Sequence, residues 1–155
     1  MAEELWDAVI VGAGPAGLTA AVMLGRSRRR VLVIDAGSGR NRFAAHMHGV
    51  LGHDGLPPSE LRRLGRAEAE GYGVVFHDGT VREVTNVPAG VRVTADDGSA
   101  HQARTLVIAT GLRDDLPAIG GLAERWGKTV LHCPYCHGWE VRNQHLGVLA
   151  TSPLA

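Results

Sequence analysis

The sequence has only two cysteines, no excess of either charge, and no apolar stretch near the roughly 20 residues that a membrane span needs. Each shortage excludes a class of protein. With both cysteines in a single CxxC, redox or metal chemistry is expected rather than a structural staple. Lys plus Arg number 16 and Asp plus Glu number 16, so no global field draws the chain to nucleic acid or to an acidic lipid surface. The N-terminus, MAEELWDAVIVGAGPAGL, sets acidic residues before a short apolar run where a secretory signal carries positive charge. A cytoplasmic protein is expected. What remains is a 155-residue chain with 45% hydrophobic content, enough for a core and within the usual range of one globular domain. Glycine is abundant at 21 residues, which implies tight turns or close backbone approach to a ligand.

The N-terminal third carries the strongest ligand signal. Residues 7–11, DAVIV, form an apolar run suited to a buried parallel strand, and they lead directly into GAGPAG at 12–17. A helix is expected over residues 15–25, followed by a second buried strand at 31–34 that ends in Asp35. Strand, glycine loop, helix, strand and acid make a βαβ dinucleotide unit. In such a unit Gly12 permits the tight turn, Gly14 lets backbone approach a pyrophosphate, and Gly17 lets the helix pack close to the sheet. The diphosphate sits on the helix N-terminus, and Asp35 is placed to accept from ribose hydroxyls. The basic run RSRRR at 26–30 follows the helix, where cations suit the negative end of its dipole.

Residues 37–55 form a polar, glycine-rich loop with Arg40, Asn41, Arg42, His46, His48 and His53. Three histidines without a carboxylate or cysteine to complete a ligand set read as loop or pocket-lining residues, and no residue is assigned to a metal. Ser59 is a candidate N-cap for a helix over 60–70 with Leu61 and Leu64 on one face. Residues 74–76, 80–84 and 91–94, with a turn at Asp96-Asp97-Gly98, read as short antiparallel strands. Residues 106–109 return to a buried apolar strand that ends in Thr110-Gly111.

HCPYCHGWE, at 132–140, holds both cysteines. Three chemistries could use it. A redox dithiol suits cysteines at i and i+3 near a helix start, where the helix N-terminus and a neighbouring histidine lower the thiol pKa. Zinc could take His132, Cys133, Cys136 and His137, although structural sites usually draw ligand pairs from separated segments. CPYCH also matches the CxxCH of covalent haem, a route that needs export and an axial partner. Two unreactive buried cysteines are the remaining reading.

VIVGAGPAGL, the acid at Asp35, TLVIATG at 105–111 and CPYC at 133–136 occur in the order seen in thioredoxin reductases, and the chain resembles the N-terminal half of such a flavoprotein. The CPYCHGWE form is similar to the branch that includes the dithiol oxidases of gliotoxin and holomycin biosynthesis. The resemblance implies an α/β fold: a Rossmann-like FAD-binding βαβ domain with an antiparallel β insertion over residues 1–115, then the start of a second, CxxC-bearing domain over 116–155. It also implies FAD held by Gly12, Gly14, Pro15, Ala16 and Gly17, with Asp35 and Ala36 at the adenosine ribose and Arg42, Thr110 and Gly111 completing the site. Cys136 would face the flavin, and Cys133 would exchange with a disulfide or dithiol substrate, either a small molecule or a thioredoxin-like protein.

Family members form homodimers and normally bind NADPH. Here residues 146–150 resemble the first strand of the NADPH unit, but TSPLA follows in place of a glycine fingerprint, so NADPH is not supported by the residues present. His137 stands where thioredoxin reductases carry a proton-donating aspartate, and imidazole can do the same work with an unperturbed pKa of about 6.5. The chain ends where a family member would be about half made, so a non-catalytic FAD-binding fragment and a CxxCH metal module stay open as alternatives.

Overall fold

The computed structural model describes residues 5–150. Its centre is one six-stranded sheet in the order β3-β2-β1-β6-β5-β4. The strands are β1 (Leu5–Val11), β2 (Val31–Asp35), β3 (Val75–Asp78), β4 (Val81–Val87), β5 (Gly90–Ala95) and β6 (Ala100–Ile108). Helix α1 (Pro15–Arg26) crosses from β1 to β2, and α2 (Pro58–Gly71) crosses from β2 to β3.

The β2 sequence Val-Leu-Val-Ile is β-branched and apolar at nearly every position because both faces of this strand are covered. Val31 and Val33 face α1 and α2, packing with Ile10, Leu18, Ala21 and Ala69. Leu32 and Ile34 face the other way, against Val9, Val93 and Ala103. The antiparallel meander of β4, β5 and the first part of β6 thus folds over one face of the parallel strands while the helices cover the opposite face. The result is three layers with two cores.

The parallel βαβ start, the meander and the turn at 96–98 follow the sequence expectation, and four details differ. The strand near 74–76 is not part of the antiparallel set: β3 pairs parallel to β2, Leu32 opposite Val75 and Asp35 opposite Asp78. A crossover through α2 returns the chain in the same direction, and strand periodicity carries no information about the partner. Ser59 does not cap α2. Pro57 occupies the cap and Pro58 the first turn, where a missing N–H leaves nothing unsatisfied. The face of α2 that packs is Gly65 and Ala69 rather than Leu64: a Cβ on Gly65 would stand 3.0 Å from Leu18 Cδ1, and Ala69 is fully buried, whereas Leu64 is exposed. Small residues let the two helices approach closely. Lastly, β6 is not buried to its end, since Ile108 is 74% exposed, with no described element lying over it.

Beyond β6 the described chain has only two single-turn helices, α3 (Leu122–Arg125) and α4 (Pro134–His137). Residues 146–150, expected to begin a strand, form none, because no neighbouring strand supplies a ladder for them among the described residues. The TSPLA segment lies outside the described residues.

Candidate functional site at the sheet edge and the cysteine pair

Strand register decides which residues meet. Val11 is opposite both Ile34 of β2 and Ile108 of β6, so the next residues of all three strands emerge at one carboxyl edge: Gly12, Asp35 and Ala109. Ligands of open α/β sheets bind at that edge. The ladder runs on into the loop, with the Gly12 N–H donating to Ile34 O at 2.8 Å and the Ala109 N–H to Val11 O at 2.9 Å.

The three glycines have different reasons to be glycine. Gly12 has φ +103°, and a Cβ there would lie 2.4 Å from Ala109 O. At Gly17 a Cβ would lie 1.9 Å from Gly12 O. Both are demanded by backbone packing between loop, helix and the 109–111 segment. Gly14 is different, because a Cβ there would meet nothing within 4 Å. Internal packing therefore does not require a glycine at 14, and the space beside it is open for a ligand. No side chain caps α1, its first turn holds no acid, and Pro15 stands at its start. Its N-terminal N–H groups and dipole face that same space. Pro15 and Ala16 are exposed along it.

Asp35 is held from three sides. Its Oδ1 accepts from the Ala13 N–H at 2.8 Å, and its Oδ2 accepts from the Gly37 N–H at 3.2 Å and from Arg62 Nη2 at 2.8 Å. A carboxylate offers about four lone-pair directions, so one remains for a hydroxyl. Ala36 follows it, exposed, and Thr110 and Gly111 are exposed beyond Ala109. An open approach at Gly14, an uncapped helix and a fixed acid at the same edge fit a dinucleotide diphosphate and ribose.

Arg42 does not join this group. Its Nη1 donates to Gly39 O at 3.1 Å and its guanidinium lies 4.1 Å from the Phe43 ring centre, so it folds onto its own loop. The cation at the acid is Arg62, from α2. Sequence spacing gave no sign of it, since the contact spans 27 positions.

Cys133 and Cys136 are joined by a disulfide, with Cα atoms 5.3 Å apart. Cys133 is the N-cap of α4, and the Cys136 N–H donates to its Sγ at 3.1 Å. Cys136 is exposed and Cys133 half-buried. In this oxidised form neither sulfur is a thiolate, the form that a metal would need. His137 is the last residue of α4, its N–H donating to Cys133 O at 3.2 Å. Tyr135 and Trp139 are exposed on either side.

The loop between β2 and α2 reaches this segment through polar ties that the sequence did not reveal. Arg40 forms a two-pronged ion pair with Asp114, its Nε 2.9 Å from Oδ2, and Trp126 Nε1 donates to the same Oδ2 at 3.3 Å. The Arg40 guanidinium, with help from the Trp126 N–H, holds the Asp114 carboxyl below the usual carboxylate range. Trp126 stacks on His132, ring centres 5.1 Å apart, one residue before Cys133. Further along, His48 Nε2 is 3.3 Å from Glu140 Oε1, and its Nδ1 is 3.4 Å from Asp54 Oδ2.

Known proteins share this arrangement of sequence and fold. Residues 6–149 match the family model for pyridine nucleotide-disulphide oxidoreductases. The chain is 40% identical over 160 residues to the thioredoxin reductase aclD of Aspergillus oryzae, an alignment covering 100% of this chain and 51% of that relative. It is 39% identical over 154 residues to a probable thioredoxin reductase of Arthroderma benhamiae, covering 95% of this chain and 38% of the other. The crystal structure of HlmI superposes with a TM-score of 0.92 at 51% identity, over 96% of this chain and 48% of HlmI. An oxidoreductase from Agrobacterium tumefaciens superposes with a TM-score of 0.86 at 44% identity, over 90% and 48%. The chain thus spans about half the length, or less, of the proteins it matches. Across that span both sequence and fold agree, and the chain belongs to the pyridine nucleotide-disulphide oxidoreductases, as a thioredoxin reductase-like member.

Proposed function

We propose that this chain carries the FAD half-site and the redox disulfide of a thiol–disulfide oxidoreductase, exchanging electrons between flavin and a disulfide or dithiol substrate. The observation that carries the reading is the closed Cys133–Cys136 disulfide with Cys136 exposed, on a chain whose sheet edge leaves Gly14 open beside an uncapped helix. Gly12, Gly14, Pro15, Ala16 and Gly17 would hold the FAD diphosphate, Asp35 and Ala36 the ribose, and Thr110 and Gly111 the far end of the site. FAD, when bound, supplies two-electron exchange with the cysteine pair.

The chain's own chemistry is thiol–disulfide exchange. A substrate thiolate attacks Cys133 Sγ, the Sγ–Sγ bond breaks, and Cys136 leaves as a thiolate. A second substrate thiolate then attacks the mixed disulfide, releasing oxidised substrate and the Cys133 thiolate. Two protons are left over from the substrate thiols, and His137, the residue that follows Cys136 in the chain, would carry one. The reverse sequence reduces a substrate disulfide. The resemblance of CPYCHGWE to the dithiol oxidase branch, with His137 in place of the aspartate of thioredoxin reductases, favours a small-molecule dithiol over a thioredoxin-like protein. We further propose a division near residue 115 between the FAD unit and the cysteine-bearing segment, a homodimer at full length, a cytoplasmic location, and no strong reduction by NADPH. No described helix is long and apolar enough to cross a membrane.

The test is the absorbance of the full-length protein as purified. Flavin bands with about one FAD per chain, and two thiols that titrate against the flavin, are the expected result. A colourless protein, or one that copurifies with zinc, would contradict it. Rapid anaerobic bleaching by NADPH would count against the proposed reductant preference alone.

A further inference from the structure

The loop over residues 36–57 is long for a connection within a compact α/β unit, where two to six residues usually suffice. Its side chains reach residues on both sides of the cysteine pair. Arg40 engages Asp114 upstream, Phe43 lies against Gly127, where a Cβ would come within 3.4 Å of Phe43 Cβ, and His48 engages Glu140 downstream. His48 is set between two acids. Each ring nitrogen faces a different carboxylate, Asp54 from the same loop and Glu140 from the segment that follows α4. Asp54 is itself fixed by the Gly49 N–H, which donates to its Oδ1 at 3.0 Å. The side chain of His48 is only 26% exposed.

We propose that the 36–57 loop is a clasp on the cysteine segment and that His48 is its positioning residue, oriented by Asp54 and holding the segment through Glu140. The clasp sets where the Cys133–Cys136 turn stands relative to the sheet edge. That consequence rests on the redox reading above, while the coupling of His48 to Glu140 does not. Hydrogen bonds within α4 place the two sulfurs relative to each other, but none of them fixes the turn against the sheet unit.

Arg142, exposed two residues beyond Glu140, gives a local probe, the rate of trypsin cleavage after it in the oxidised full-length protein. His48→Ala and Glu140→Ala are each expected to speed cleavage about two- to fivefold, the range for a partly exposed ion pair. The double variant should be no faster than the faster single one, because both remove the same contact. Atom positions sharpen the test. A glutamine amide nitrogen can stand where Nε2 stands and restore the tie to Glu140, whereas an asparagine nitrogen reaches only the Nδ1 position, toward Asp54. His48→Gln should therefore return cleavage to the parent rate, and His48→Asn should not.

In a Cys133→Ser background, His48→Ala should also weaken the long-wavelength thiolate–flavin band at unchanged FAD content. Glu140→Gln, a surface change, keeps the coupling measurable if His48→Ala lowers stability. Single effects that multiply in the double variant, or equal behaviour of His48→Gln and His48→Asn, would overturn the clasp. If the coupling holds but the cysteines never exchange with flavin, the redox reading falls and the contact stands. If the flavin band forms in Cys133→Ser and is indifferent to His48, the clasp falls and the redox reading stands.

Discussion

The sheet unit and the cysteine segment are held together by different physics. Through Ile108 the chain is organised by two hydrophobic cores and a continuous ladder, with Val9, Ile10, Val31 and Val33 all fully buried. After Ile108, among the described residues, Leu122 alone is buried, and order comes from a disulfide, two single-turn helices and a few charged or aromatic contacts. Apolar burial of this kind stabilises by about 25 cal/mol per Å² and barely responds to salt or pH. Exposed ion pairs are worth little each and respond to both. A cofactor cradle benefits from the first kind of support, since its backbone groups must stay fixed. On the proposed redox reading, a dithiol turn that admits a substrate and changes covalent state is suited to the second.

The largest expected effect breaks the rigid side of this contrast. Gly17→Ala forces a Cβ to within 1.9 Å of Gly12 O, and neither backbone can yield without displacing Ala109. A loss of about 3 kcal/mol in unfolding free energy is expected, together with loss of bound FAD. Denaturant titration reads the first and absorbance the second.

Gly14→Val separates cradle from fold. A Cβ there meets nothing within 4 Å, so the denaturation midpoint should move little when both proteins are compared free of FAD, while the branched side chain blocks the diphosphate and FAD no longer copurifies. Retention of stoichiometric FAD by this variant would remove the half-site.

On the adaptable side, His137→Ala should slow thiol–flavin exchange by about 10²-fold, the size of a general acid or base contribution, and leave FAD content unchanged. Stopped-flow absorbance at matched FAD occupancy measures it. An unchanged rate would move the proton to another group.

The smallest effect concerns the Asp114 tie. Because Arg40 and Trp126 hold its carboxyl below the usual range, the tie is fully present above the unfolded value of about 3.9 and is lost as pH falls through the lower folded value. Cleavage within residues 113–130 by an acid protease should rise across that window in the parent protein. In Asp114→Asn the pH-dependent rise should be missing, with cleavage at neutral pH about twofold above the parent.

The contrast also explains what could be read from sequence. β1, the glycine loop, α1, β2 and Asp35 were legible because each follows from local chemistry: a doubly covered strand must be apolar throughout, and a tight turn into a helix must use glycine. The CxxC turn was legible from its spacing. The direction of β3 was not, because a short apolar run looks the same beside either partner. Nor could Ser59 be recognised as lying inside α2, since a serine next to two prolines satisfies the capping pattern equally well. Arg62 at Asp35, Asp114 between Arg40 and Trp126, and His48 at Glu140 were all missed for one reason. Each is a contact between distant positions made by ordinary surface residues, with no periodicity to announce it. Arg42, expected at the cofactor from the family resemblance, lies over Phe43 within its own loop.

The central claim is that a flavin held at the rigid edge exchanges electrons with the cysteine pair on the adaptable segment, and the spectrum of the two single-cysteine variants tests it most directly. With FAD bound, Cys133→Ser leaves the lone Cys136 thiolate beside oxidised flavin, and a long-wavelength charge-transfer band is expected that is absent in Cys136→Ser. Identical spectra from the two variants, both with full FAD and both turning over normally, would contradict the account and make the disulfide a structural link.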